Sequence, residues 1–337
     1  MTMVLLATSC IKEDTSFLYS GEYLIEEETS VIRNCGPVAN ASQVYADASV
    51  ELTILAGNSC IFTLHNLIVG QPAIEFTGSA ETNYSNESVN REELVFTGKK
   101  QTEDRIVEIY GIIRDTVLAQ LYINETITSD IVGKWKPYSI TADFDGHKET
   151  NATVNRTLEE FLEVSTDVEF IEFTSYGTLC TDNISHENIM EYYLRPQKEL
   201  INFHVSKSSS GAFLQGLDSN MLEFLRLIGF AHILEKGQSI SIPVYFSFAE
   251  GRLVLSADQS LADFYISLMR ESLETIAAEM ETITYDEAKL FLDDNFLGTV
   301  ITEDNFQEYR AAALDMISVL TGGEGKYSLS MTLSPVS

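Results

Sequence analysis

The side chains best suited to chemistry are scattered along this chain rather than grouped. Its five histidines, His65, His147, His186, His204 and His232, stand in five separate segments. A zinc hydrolase brings two imidazoles to one ion, either one helical turn apart or two residues apart on a strand. Neither His-Glu-x-x-His nor His-x-His occurs. His65 and His204 fall in strand-like runs and His232 in a helix-like one, where histidine is ordinarily structural. Ser208-Ser209-Ser210-Gly211 lacks the Gly-x-Ser-x-Gly form of a nucleophile elbow and reads as a turn. The glycine-rich phosphate loops Gly-x-x-x-x-Gly-Lys-Ser/Thr and Gly-x-Gly-x-x-Gly are also missing, which removes the usual devices for nucleotide binding. No cofactor, no metal and no catalytic residue is therefore expected.

Two acidic clusters invite comparison with calcium loops. Asp143-Phe144-Asp145-Gly146-His147-Lys148-Glu149 sets three carboxylates around a glycine, but the first and twelfth positions of such a loop would be Thr141 and Ala152,. In Asp293-Asp294-Asn295-Phe296-Leu297-Gly298, Asp304 takes the twelfth place and Leu297 blocks a ligand position, so an acidic helix–helix loop is expected. The aromatic residues Tyr19, Tyr23, Trp135, Tyr138, Tyr176, Tyr192 and Tyr193 are the remaining resource, able to stack on a sugar or line an apolar pocket. Trp135, Tyr138, Tyr192 and Tyr193 are the candidate ligand-binding residues. Adjacent strand residues point to opposite faces, so one of Tyr192 and Tyr193 is expected at the surface.

At roughly 150 residues per domain, 337 residues suggest two domains,. Aspartate and glutamate number 51 against 21 lysines and arginines, a formal charge of −30. Such a field repels phosphate backbones, so nucleic acid is not an expected partner. No apolar run reaches the length of a membrane-spanning helix. The N-terminus, Met1-Thr2-Met3-Val4-Leu5-Leu6-Ala7-Thr8-Ser9-Cys10, resembles the end of a bacterial lipoprotein signal. The resemblance implies acylation of Cys10, a tether over 10–16, and a lipid anchor in the outer membrane of the cell envelope. Cys35, Cys60 and Cys180 remain. Cys35 and Cys60 are open either to pairing or to staying free thiols.

Residues 17–128 alternate in short runs at 17–26, 50–56, 60–69, 73–78, 93–98, 105–113 and 117–124, with a polar loop expected at 83–91. Period two without a convincing 3.6 period makes this an all-β module, a barrel or sandwich. Residues 129–337 read as α+β. Strands are expected at 135–142, 167–174, 200–205, 239–248, 252–257 and 327–333. A helix is expected at 218–235. Further helices begin at Ser256-x-x-Gln259 (a capping box), at Thr284-x-x-Glu287, and at Thr302, the last stopping at Gly322-Gly323.

Gly133-Lys134-Trp135 resembles the Gly-x-Trp with which lipocalins and other calycins open their barrel, the tryptophan closing one end. With Cys10, Gly21-Glu22-Tyr23 and the strand pair at 109–113 and 117–124, the chain resembles two-module, calycin-like lipoproteins of gut-dwelling Gram-negative bacteria. The second lipocalin motif fails at Thr181-Asp182-Asn183. The resemblance implies two calycin-like β-barrel modules, the second carrying several helices, in a mainly β protein. The leading expectation is an envelope lipoprotein that binds a small apolar molecule or a glycan without catalysis. A structural or protein-interaction role is the alternative, and a carbohydrate-active hydrolase the third.

Overall fold

The computed structural model describes residues 16–34, 36–38, 41–45, 47–85, 91–164, 169–181, 190–205, 240–292, 300–322 and 326–336. The expected acylation site Cys10, Cys35, the serine turn at 208–211, the helix at 218–235 and the loop at 293–298 lie outside them. The protein is mainly β, and the chain separates into two compact units, residues 1–102 with 106–125 and residues 103–105 with 126–337.

The first unit is a nine-stranded sheet curled into a half-barrel. Its strands are β1 (Gly21–Leu24), β2 (Ser30–Arg33), β3 (Gly36–Pro37), β4 (Ser49–Ile54), β5 (Ser59–Ile68), β6 (Gln71–Ser85), β7 (Arg91–Gln101), β8 (Arg105–Arg114) and β9 (Val117–Ile127). They follow the order β1-β4-β5-β6-β7-β8-β9-β2-β3. A one-turn helix, α1 (Ala41–Val44), links β3 to β4. Strand β2 runs parallel to β9, with Ser30 opposite Gln120. The period-two pattern buries one face, where Phe62 stacks on Phe76 at 4.9 Å and meets Phe96 edge-on at 5.0 Å,.

The second unit is a closed eight-stranded barrel. It comprises β10 (Gly133–Phe144), β11 (Ile171–Phe173), β12 (Thr178–Thr181), β13 (Met190–Arg195), β14 (Leu200–Val205), β15 (Ile240–Ala249), β16 (Arg252–Asp258) and β17 (Tyr327–Pro335). Every neighbouring pair is antiparallel, and β17 closes the ring by pairing with both β16 and β10. Helix α2 (Lys148–Val164) follows β10. Helices α3 (Gln259–Thr282), α4 (Tyr285–Leu292) and α5 (Phe306–Gly322) lie between β16 and β17. Phe144, Ala142 and Tyr327 at one end of the barrel pack against Val154 and Leu158 of α2 and Met316, Val319 and Leu320 of α5.

Several expectations need correction. The run at 17–26 is a 3-10 turn (Ser16–Tyr19) followed by the short β1. Of the stretch at 83–91 expected as a polar loop, 83–85 belong to β6 and Arg91 to β7, with Ser85 opposite Arg91, and 86–90 lie outside the described residues. Ser256 belongs to β16, and the cap of α3 is Asp258, whose carboxylate accepts from Leu261 N–H. At Thr284 the capping box does form: Thr284 N–H and hydroxyl both donate to Glu287, and Glu287 N–H returns to Thr284 Oγ1. The third of these helices starts at Phe306, after a turn in which Phe306 N–H reaches the Thr302 carbonyl.

Candidate functional site

Strand register decides which side chains share the inside of the barrel. Trp135 lies opposite Ile171, and Phe173 opposite Leu179. Tyr192 is matched with Phe203 and then Ile242, and Leu194 with Ile201 and then Val244. Phe246 pairs with Leu255 and then Met331, and Phe248 with Leu253 and then Leu333. Directly paired residues point to the same face, so each strand sends apolar side chains inward. The intervening positions, such as Glu172, Asn202, Ser241, Arg252, Ser256, Ser330 and Thr332, carry the polar groups outward.

The inside is packed unevenly. Towards the Gly-x-Trp end, Trp135, Phe173, Tyr192, Leu194, Ile201, Leu253 and Leu333 form a buried floor. Gly133, at φ 146°, takes a backbone conformation open to glycine as the chain enters β10,. The Trp135 indole N–H donates to the Ile131 carbonyl at 2.8 Å, which fixes the ring at this end. Above the floor the inward side chains Phe203, Ile242, Val244, Phe246, Leu255 and Met331 are only half-buried. Leu329, paired with Ala142 and Ala257, keeps 49% of its surface accessible. These side chains pack against the floor and against Val205 and Ile240 while keeping part of their apolar surface accessible.

The four candidate aromatics separate into different environments. Trp135 is part of the floor. Tyr192 is 1% exposed, stands edge-on to Phe173 at 5.2 Å, and donates its hydroxyl to the Thr174 carbonyl. Burial pushes its phenol well above the ordinary tyrosine range. Tyr193 does face the other side of the sheet, but it too is buried. Its hydroxyl shares a 3.2 Å hydrogen bond with Ser241, and the Arg195 guanidinium stands over its ring. The expectation that one of this pair is exposed is thus corrected: both faces of β13 are covered. Tyr138 is 56% exposed, beside the irregularity in β10 between Pro137 and Ser139, and Arg252 covers one ring face at 3.8 Å. The structure therefore brings Trp135 and Tyr192 into one buried apolar cluster and leaves Tyr193 and Tyr138 outside it. The half-buried inward residues escaped sequence reasoning because period two marks an inward position alike whether it is fully or partly covered.

A cleft of about 580 Å³ lies between the start of α2 and α5. His147 Nδ1 meets Asp315 Oδ2 at 2.7 Å, and Thr150 donates its hydroxyl to the same oxygen. Two turns along α5, Glu308 accepts from Thr153 at 3.1 Å and from Arg156 at 2.7 Å. The Thr150 hydroxyl holds Asp315 below the ordinary carboxylate range, with His147 adding to it, and Arg156 and Thr153 do the same for Glu308. A general acid needs its carboxyl raised, so both groups are tuned in the opposite sense. They cross-link helices.

Cys60 and Cys180 are buried free thiols, and burial pushes Cys60 up to about 11. Among the described residues no group of three or more histidine, cysteine or acidic side chains is arranged to hold a metal ion. No protein-family model, no curated protein and no solved structure matches this chain.

Proposed function

We propose that this protein binds a small apolar molecule, without catalysis, in the lumen of its second-unit barrel. One observation carries the reading: the inward row of the barrel is predominantly apolar, and Phe203, Ile242, Val244, Phe246, Leu255, Met331 and Leu329 in it keep accessible surface. An apolar guest would cover this accessible hydrocarbon and recover the hydrophobic stabilisation that its exposure forgoes. The calycin-like architecture supports the same reading by analogy of fold alone. The choice between apolar molecule and glycan falls on the former. Tyr192 and Tyr193 are buried with their hydroxyls engaged, and Arg252 occupies a face of Tyr138. A lipid anchor at Cys10 in the outer membrane completes the proposal and accounts for the lipoprotein-like N-terminus.

The single tryptophan supplies the test. N-phenyl-1-naphthylamine, neutral and apolar, should brighten on entering the lumen and quench Trp135 by energy transfer, saturating at one molecule per chain. Ala257→Phe places a ring beside Leu329 and should abolish uptake while leaving the melting temperature equal or higher. A natively folded wild type that takes up no probe, or an Ala257→Phe variant that binds as well as wild type, refutes the lumen site.

A further inference from the structure

We propose that the first unit carries a binding site of its own, for a neutral oligosaccharide, on the face of its sheet opposite the buried core. It is independent of the barrel lumen. An open groove of about 490 Å³ crosses β6, β7 and β8 there. Two rows of outward side chains wall it. Ser79, Thr97 and Tyr110 lie opposite one another in one row, and Lys99 lies opposite Glu108 in the other. The floor between the rows is the backbone of Gly78 and Gly98, which are directly paired. The Phe62 ring lies close against Gly98 from the core side, so this floor is packed from beneath.

The walls carry the chemistry of sugar recognition. Lys99 Nζ donates to Glu108 Oε1 at 2.7 Å, and Asn124 Nδ2 donates to Glu108 Oε2 at 3.3 Å. The Lys99 hydrogen bond first, and then that of Asn124, holds Glu108 below the ordinary carboxylate range, so it is ionised at neutral pH. Lys99 and Glu108 are the charged residues of the lining and cancel each other. In a chain of −30, this groove therefore favours neither a cation nor an anion,. Its hydrogen-bonding capacity is not used up. Lys99 and Asn124 retain further N–H donors, and the Ser79 and Thr97 hydroxyls, 3.0 Å apart, need only one of their protons to bond each other,. Neighbouring hydroxyls of a sugar ring donate to a carboxylate and accept from an ammonium, which is the pairing that Glu108 and Lys99 offer. Tyr110 continues the Ser79–Thr97 row and is 40% exposed, with Tyr122 braced edge-on against it at 5.5 Å. An exposed ring fixed in this way is a surface on which the apolar face of a sugar can stack. From β6 to β9 the site covers three strand spacings, on the order of 14 Å. That width suits several linked sugars rather than one.

Calorimetry on the full chain tests this with the neutral hexasaccharides of glucose, mannose, galactose and xylose, and with hexagalacturonate as an anionic counterpart. At least one neutral hexasaccharide should bind at one site per chain, with a Kd on the order of 1 mM or tighter. Hexagalacturonate should bind at least about tenfold more weakly than the best of them. Tyr110→Ala should weaken binding at least about tenfold, Glu108→Gln at least about threefold, and Tyr110→Phe much less than Tyr110→Ala. All three positions of change are at the surface, so melting temperatures near wild type should show that the loss comes from the groove. Ala257→Phe, in the second unit, should leave sugar binding unchanged. Sugar binding that survives both Tyr110→Ala and Glu108→Gln would place the sugar elsewhere and overturn the site. A natively folded wild type that binds none of the neutral hexasaccharides overturns it as well, and hexagalacturonate binding as tightly as the best neutral sugar would refute the selection for a neutral ligand.

Discussion

Asn155 brackets the backbone of Ala142: its Oδ1 accepts from the Ala142 N–H at 2.7 Å, and its Nδ2 donates to the Ala142 carbonyl at 2.8 Å. One helical turn earlier, Asn151 treats Phe144 in the same way, at 2.7 and 3.1 Å. The two asparagines, four residues apart on α2, thus match two residues of one parity on β10. They act where β10 has lost its neighbour, since β11 pairs only with Gly133, Lys134 and Trp135. A backbone edge would otherwise be left without partners beneath the helix, and α2 supplies the missing hydrogen bonds from its side chains.

Asn155→Ala should therefore destabilise the second unit by about 1–3 kcal/mol, because it orphans a donor and an acceptor together. Asn155→Asp should also cost stability, since a carboxylate can accept from the N–H but cannot donate to the carbonyl. Urea unfolding of the full chain measures both. A change within error for Asn155→Ala would show that water replaces the amide and that the bracket is not structural.

The Asp315 cross-link between α5 and the start of α2 predicts a sign for pH dependence. Its carboxyl lies below the ordinary range in the folded protein, held there by the Thr150 hydroxyl and then by His147. A depressed carboxylate stabilises the fold above its unfolded value, and that stabilisation is lost as pH falls through the folded value. The urea midpoint of the wild type should accordingly drop on acidification below the ordinary aspartate range more than that of Asp315→Asn. Parallel acid limbs for the two proteins would mean the cross-link does not contribute. Asp315 is partly exposed, so the difference should be small and reduced by salt,.

What could be read from the sequence was whatever repeats at short range. Period two gave the strand at 200–205 with its observed bounds, and the Gly-x-Trp signature put Trp135 in a barrel floor. Helix α2 was missed for a physical reason. Asn151, Thr153, Asn155 and Thr157 are weak helix formers, and here they serve a strand edge, α5 and the helix's own backbone instead of an apolar face. The alternation of Tyr192 and Tyr193 was legible, but not that both sides of β13 are covered. Asp143 and Asp258 come to flank Ser328 only through the closure of β17 between β10 and β16, a relation that no local pattern carries.

The first unit offers a sharper packing test. Gly111 on β8 lies directly opposite Phe96 on β7. A Cβ at Gly111 would stand 2.1 Å from Phe96 Cζ, and one at Gly98 would stand 2.6 Å from Phe62 Cζ. The aromatic rings of this core thus lie flat over glycines, filling the space that side chains would otherwise take, and Phe96 is fully buried. Gly111→Ala should force the ring out of place and destabilise the first unit by about 1–3 kcal/mol, the usual range for overpacking. The double variant Gly111→Ala/Phe96→Leu should be less destabilised than the sum of its single variants, because the smaller side chain makes room for the methyl group. Thermal melting of the four proteins measures the coupling. Strict additivity would show that the cost of Gly111→Ala lies in the backbone of β8 and not in the ring that covers it.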